Sequence, residues 1–254
     1  MKARAPKFLL IDAGNTRLKW ATARSSAPVH LAGEIATKAA TPTWIAALAR
    51  KHPAHPVILS CVVPKLRPAF CGAFGKRLVD VSSAIPGVGF HFNYPKPSEI
   101  GADRLAVAVA AQALGYFPAI IVACGTATAF TVLDAKGRLC GGAIAPGLEA
   151  QLAALFGATA QLPVTTLRPP RSALGRSTQD AIRAGVVLTF QGGVKEIIRQ
   201  LGNVLPTEPA PHILLTGGNA LHLVESLEVS FKLRPLLVLE GLLIIGGRLF
   251  TPPS

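Results

Sequence analysis

Phe8-Leu9-Leu10-Ile11-Asp12-Ala13-Gly14-Asn15-Thr16-Arg17-Leu18-Lys19 decides how this chain is read. A short, unbroken apolar run ends in a turn rich in glycine and hydroxyl side chains, the pattern of a buried strand closing into a loop. Leu18-Lys19-Trp20-Ala21 then reads as the return strand of a hairpin. About a hundred residues later the pattern recurs, with Ile120-Ile121-Val122-Ala123 leading into Cys124-Gly125-Thr126-Ala127-Thr128. Strands at Phe130–Leu133 and Leu139–Ala143 follow, joined by the turn Asp134-Ala135-Lys136-Gly137. Two strand–turn–hairpin units, each followed by helices, point to a duplicated α/β domain with a cleft between its halves. A chance recurrence of glycine-rich turns is the alternative that periodicity leaves open.

Between and after these units, helices are expected at Thr43–Lys51, Asp103–Leu114, Leu148–Phe156, Thr178–Gln191 and Leu239–Ile245. Pro56–Cys61 reads as a buried strand, and Ile213–Leu215 as a strand ending in Thr216-Gly217-Gly218-Asn219. Pro163–Pro170 and Pro206–Pro211 read as linkers.

The 254 residues are 50% apolar and only 15% charged, which excludes disordered and fibrous classes and permits a sizeable core. Lys and Arg number 26 against 13 Asp and Glu, a net charge of +13 that suits phosphorylated small molecules, nucleic acid or an anionic surface without choosing among them. The apolar run after Met1-Lys2-Ala3-Arg4 stops at Asp12, so no secretory leader is expected. Leu105–Leu114 and Leu236–Ile245, interrupted by Gln112 and Glu240, are too short to span a bilayer. Cys61, Cys71, Cys124 and Cys140 form no CxxC pair, and none has a histidine at ligand spacing. A reduced cytoplasmic protein without a zinc site is expected.

Four motifs can carry chemistry. In Asp12–Lys19 the glycine lets backbone approach a ligand, successive amides can cradle phosphate oxygens, and Asp12 at the strand end can hold Mg²⁺. An ordinary hairpin with Asp12 capping its turn is the plainer reading. Gly125-Thr126-Ala127-Thr128 and Thr216-Gly217-Gly218-Asn219 can take phosphate, ribose and base, or can be turn chemistry alone. Gly101-Ala102-Asp103-Arg104 opens an apolar helix, whose N-terminus favours negative charge at Asp103, and Arg104 can grip an anion. A helix cap with a surface ion pair explains the same four residues. The six histidines show no metal spacing, Trp20 and Trp44 read as core, and the arginine-rich stretch Arg168–Arg176 reads as a solvated loop able to draw in anionic ATP.

Taken in order, DAGNTRLKWA, Tyr94 with GADR, GTAT, GRSTQDAIRAG and TGGNA resemble the type III pantothenate kinases, also called the Bvg accessory factor family. The resemblance covers about Phe8 to Arg248. It implies an actin-like (acetate/sugar kinase–Hsc70–actin) α/β fold with two domains, 1–115 and 116–254, and ATP in the cleft. It implies phosphorylation of pantothenate in a cytoplasmic homodimer, with ATP, Mg²⁺ and a monovalent cation such as K⁺ or NH₄⁺. Carried over by position, Asp12, Ala13, Gly14, Asn15, Thr16, Arg17, Leu18 and Lys19 form the first phosphate loop, with Asp12 as the metal ligand, and Thr126 contacts ATP. Asp103 is the general base, while Tyr94, Gly101, Ala102, Asp103, Arg104 and Thr178 contact pantothenate. The family's second loop reads DxGTAxTxD, whereas Ala123 and Thr131 stand at the two aspartate positions here, so the usual ligand for the monovalent cation is missing. Two other functions stay open: a nucleic-acid-associated accessory regulator, and a kinase for another small hydroxyl acceptor. Against the regulator, the sequence holds no helix-turn-helix spacing, zinc motif or basic–aromatic run.

Overall fold

The computed structural model describes residues 6–25, 27–85, 88–158, 163, 165–170, 172–205 and 208–250. Met1–Arg4, Arg171 of the arginine-rich stretch, and parts of both proline-rich linkers (164, 206 and 207) lie outside the described residues. The elements are β1 (Lys7–Ala13), β2 (Arg17–Arg24), β3 (Leu31–Ala36), α1 (Pro42–Lys51), β4 (Val57–Cys61), α2 (Arg67–Phe74), β5 (Leu78–Asp80) and α3 (Ala102–Ala113). They continue with β6 (Ala119–Cys124), β7 (Ala127–Leu133), β8 (Leu139–Pro146), α4 (Leu148–Gly157), α5 (Thr178–Asn203), β9 (His212–Thr216), α6 (Leu221–Val224), β10 (Phe231–Leu233) and α7 (Leu237–Phe250).

The first sheet has the order β3-β2-β1-β4-β5, and the second, read from the other edge, β8-β7-β6-β9-β10. With β6 in the place of β1, the two orders are the same. Directions agree as well: β1–β2 and β6–β7 are antiparallel hairpins, while β1–β4–β5 and β6–β9–β10 are parallel. The duplication inferred from the recurring turn is present in the strand topology. β1 and β6 are the central strands, covered on both faces, which is why each reads as a continuous apolar run and not as an alternation.

The chain divides into two compact units. The first takes the chain up to Phe117, Gly137–Cys140 and everything from Leu236 on; the second takes Pro118–Lys136 and Gly141–Pro235. The C-terminal helix therefore returns to the first unit, an arrangement that a single cut near residue 115 does not describe.

In the first unit the period of two along β1 sorts its side chains. Leu9, Ile11 and Ala13 enter a core with Ile45 and Leu48 of α1 and Phe70 and Phe74 of α2. Phe8, Leu10 and Asp12 take the other face, where α7 packs on β1 and β4 and α3 packs on β4. Phe8 and Leu10 are fully buried and each contributes about 1.5–3 kcal/mol by leaving water. Asp12, at the end of this row, breaks the apolar pattern. The Ala-rich sequence of α3 lets α7 approach closely, and at the crossing a Cβ on Gly241 would run into the Ala106 carbonyl.

α5 extends twelve residues beyond its expected end at Gln191. Gly192 and Gly193 do not stop it, because Phe190, Val194 and Ile198 continue one buried face at helical spacing. α2 and the short outer strands β3, β5 and β10 carry too little apolar pattern to have been read from sequence.

Candidate active site

The turn from β1 to β2 is closed by Gly14, whose N–H donates to the Arg17 carbonyl at 3.1 Å. That amide is thus spent within the hairpin. Asn15 and Thr16 form the exposed tip. Thr37 pins this loop from outside the motif: its N–H donates to the Thr16 carbonyl at 2.9 Å and its Oγ1 to the Gly14 carbonyl at 2.7 Å. Nothing in the sequence around Thr37 signals this role, since the contact spans 23 positions. Arg17 pairs with Glu34 at 3.3 Å on the exposed side of the hairpin.

Asp12 lies opposite Lys19 on β2 and opposite Ser60 on β4. Its carboxyl is pushed up from 3.8 to about 7, first by burial and then by the charge of Asp103, against the opposing pull of Lys19 and Ser60. The second carboxylate comes from the start of α3. Gly101 is the N-cap and offers no side-chain cap, so Asp103 in the first turn meets the unsatisfied amides, and the Arg104 N–H donates to its Oδ1 at 2.8 Å. A Cβ on Gly101 would stand 2.7 Å from that same oxygen, which explains glycine there. Arg104 and Tyr94 are half-buried. The strand-like segment before Tyr94 is tied down where the Asn93 N–H donates to Leu139 at 2.8 Å and Phe92 bridges Leu139. The first unit thus brings Asp12, Lys19 and Asp103 into electrostatic contact.

The second unit has its own loop cluster around the C-terminal end of β6. The Gly147 N–H donates to the Thr126 carbonyl at 3.0 Å, and a Cβ on Gly147 would collide with the Gly125 carbonyl. Gly217 has φ of 92°, and a Cβ there would meet the backbone of Cys124. Gly147 is therefore packed against the Gly125–Thr126 backbone and Gly217 against that of Cys124, which brings the three loops together at the end of β6. Asn219 donates to Glu149 at 2.6 Å across this cluster; neither Gly147 nor Glu149 stood out in the sequence. Thr178 belongs to this unit, in the first turn of α5, which Ser177 caps by accepting the Asp180 N–H at 3.2 Å. Arg168, Arg176, Arg183 and Asp180 line a cavity of about 550 Å³ there.

The profile of the type III pantothenate kinases matches residues 8–200. The type III pantothenate kinase of Chlorobaculum parvum is 34% identical over 250 residues, 92% of each chain, and that of Gluconobacter oxydans 31% identical over 97% of this chain and 95% of its own. The chain belongs to the type III pantothenate kinase family. The enzyme of Methylacidiphilum infernorum is 36% identical over 78% of this chain and 73% of its own. Among solved structures, a Baf family transcriptional activator from Campylobacter jejuni superposes with a TM-score of 0.61 at 18% identity, covering 94% of this chain and 96% of its own. A ROK family glucokinase from Streptomyces griseus with glucose and AMPPNP gives 0.56 at 10% identity (94% and 98% covered), and MreB 5 of Spiroplasma citri with AMPPNP 0.54 at 12% (94% and 95%). These likenesses establish the actin-like ATPase fold.

The residues present fit the Mg²⁺ that the family implies. The charge of Asp103 adds to burial, the larger cause, in pushing the Asp12 carboxyl up, so the two carboxylates face each other closely enough to share a cation. Among the described residues no group of three or more His, Cys, Asp or Glu could hold a metal. A site of one or two carboxylates suits Mg²⁺, which keeps waters and substrate phosphates as its remaining ligands. Burial pushes the Cys124 thiol to about 12 and the Cys61 thiol upward, which disfavours both as nucleophiles. No helix among the described residues is long and apolar enough to cross a membrane.

Proposed function

We propose that this chain transfers the terminal phosphoryl group of ATP to the primary hydroxyl of pantothenate, forming 4′-phosphopantothenate for coenzyme A synthesis. The observation that carries this reading is the Asp12–Asp103 pair, built by a strand end and a helix start in a chain of this family. Phosphoryl transfer asks a protein chiefly for positioning and charge neutralisation. Asp103 accepts the hydroxyl proton, its carboxylate oriented by the Arg104 amide. Arg104 and Tyr94 orient pantothenate through its carboxylate and polar chain, and Thr178 adds a hydroxyl. Asp12 holds Mg²⁺, which when bound neutralises charge on the transferring phosphate. Lys19 adds positive charge beside Asp12, the Asn15–Thr16 tip meets phosphate, and Thr126 with the glycine loops of the second unit orients the nucleotide.

The chain works as a cytoplasmic homodimer in this reading. Its monovalent cation requirement is weak, because Ala123 lies opposite Ala129 and Thr216 and offers no carboxylate. The test is ATP consumption with pantothenate, with other hydroxyl acceptors and with none. Pantothenate-dependent turnover supports the assignment, and equal turnover with unrelated acceptors overturns the substrate. Asp103→Asn should lower kcat by roughly 10²–10⁴-fold with the fold intact; near-normal turnover would remove Asp103 from the base role.

A further inference from the structure

One polar group beside Asp12 has no part in the reaction as described so far. Ser60 lies on β4 directly opposite Asp12 in the parallel β1–β4 register. Val57, Leu59 and Cys61 of the same strand enter the α1–α2 core, so Ser60 and Ile58 point to the α3–α7 face, as Asp12 does. Ser60 is fully buried, and among the described residues its Oγ has no hydrogen-bond partner. Leaving a hydroxyl unpaired in a dry interior is costly, a penalty that alanine or valine in a central strand would avoid. The hydroxyl is close enough to Asp12 to act on it as a hydrogen-bond donor, although its geometry falls short of an ordinary hydrogen bond. Of the two residues that flank Asp12 in register, Lys19 is a long, half-buried cation and Ser60 a short, sealed donor.

We propose that Ser60 is a positioning residue for the metal-binding carboxylate: its hydroxyl donates to one oxygen of Asp12 and leaves the other oxygen for the cation. The inference rests on the reading of Asp12 as the Mg²⁺ ligand. The parallel β1–β4 register and the burial of the unpartnered hydroxyl leave the Asp12 carboxylate as the acceptor it faces. Residues that orient a metal ligand without touching the metal typically change metal affinity by about 10–100-fold when removed.

The experiment compares Ser60→Ala, Ser60→Cys and Asp12→Asn with the parent protein. Thermal unfolding is followed while Mg²⁺ is titrated in the presence of a non-hydrolysable ATP analogue, and kcat and the Mg²⁺ KM are measured alongside. Ser60→Ala should unfold at the same or a higher temperature without Mg²⁺, because an unpaired hydroxyl has gone. Its half-saturating Mg²⁺ concentration should rise roughly tenfold or more, with the Mg²⁺ KM rising in parallel and kcat at saturating Mg²⁺ changing far less. Ser60→Cys keeps nearly the same volume with only a weak donor, so it should behave like the alanine variant. An unchanged half-saturation in both variants overturns the proposal, as does full recovery by cysteine, which would make Ser60 a matter of volume. Should the alanine variant fail to fold, the cysteine variant decides alone. Asp12→Asn separates the two readings: if it keeps a normal Mg²⁺ response, the metal role of Asp12 falls and this inference with it. If it loses that response while both Ser60 variants keep theirs, only the role of Ser60 falls.

Discussion

Replacing Asp12 by asparagine should move stability and activity in opposite directions. The side chain keeps its shape and loses its ionisable group. In the folded protein the carboxyl titrates near 7, against 3.8 in an unfolded chain, with burial the largest cause and Asp103 the next. Between these two values the native state binds more protons than the unfolded state, so this group lowers stability progressively as pH rises through the window. Below 3.8 it makes no difference, and above about 7 the penalty is complete. At about 1.36 kcal/mol per pH unit the ceiling is on the order of 4 kcal/mol, and partial solvent access brings the expectation to about 2–4 kcal/mol. Urea unfolding in the presence of a metal chelator checks this at several pH values from 4 to 8. Asp12→Asn should match the parent at the acid end, exceed it at the alkaline end, and be catalytically dead throughout. A variant destabilised equally at every pH would refute the reasoning, because the carboxylate would then be stabilising where the structure makes it a burden.

Thr37→Val should destabilise the protein by about 1–3 kcal/mol by orphaning the Gly14 carbonyl. It should also raise the KM for ATP more than it lowers kcat, which steady-state kinetics would show. Gly241→Ala places a methyl against the Ala106 carbonyl and should lower stability by about 1–3 kcal/mol or more; an unchanged melting temperature would mean that α3 and α7 part freely. Activity should persist without added K⁺ and respond weakly to it, since the positions around Ala123 supply no carboxylate; strong, saturable activation by K⁺ would count against this.

What the sequence revealed follows from where information is stored in the chain. The two central strands are apolar on both faces, so they stand out as runs, and the turns after them carry glycines that few other contexts require. Asp12 and Asp103 were legible because each lies at an element boundary, one ending a strand and one opening a helix. Ser60 was not, since it reads as one more small residue in a buried strand, and only the β1–β4 register places it against Asp12. Thr37 and Glu149 were hidden for the same reason: their partners lie 23 and 70 positions away. The return of α7 to the first unit was likewise invisible, because its apolar helix would suit either half. Gly192 and Gly193 misled by the opposite route, a local signal for a break overridden by a buried face that continues past them.

The duplicated topology makes the difference between the halves informative. Aligned on Gly14 and Gly125, Asp12 of β1 corresponds to Ala123 of β6, and each lies opposite a hydroxyl on the next parallel strand, Ser60 in one case and Thr216 in the other. The hydroxyl is present in both halves and the acid in only one. In the second half the backbone closes in instead: Gly147 and Gly217 are packed so closely that side chains are excluded. Ala123 stands where the family's second loop carries the aspartate that holds the monovalent cation, so Ala123→Asp should weaken ATP binding unless K⁺ is supplied. ATP affinity measured in that variant with and without K⁺ would decide the point: tighter binding in the absence of K⁺ would show that charge at this position does not oppose the nucleotide.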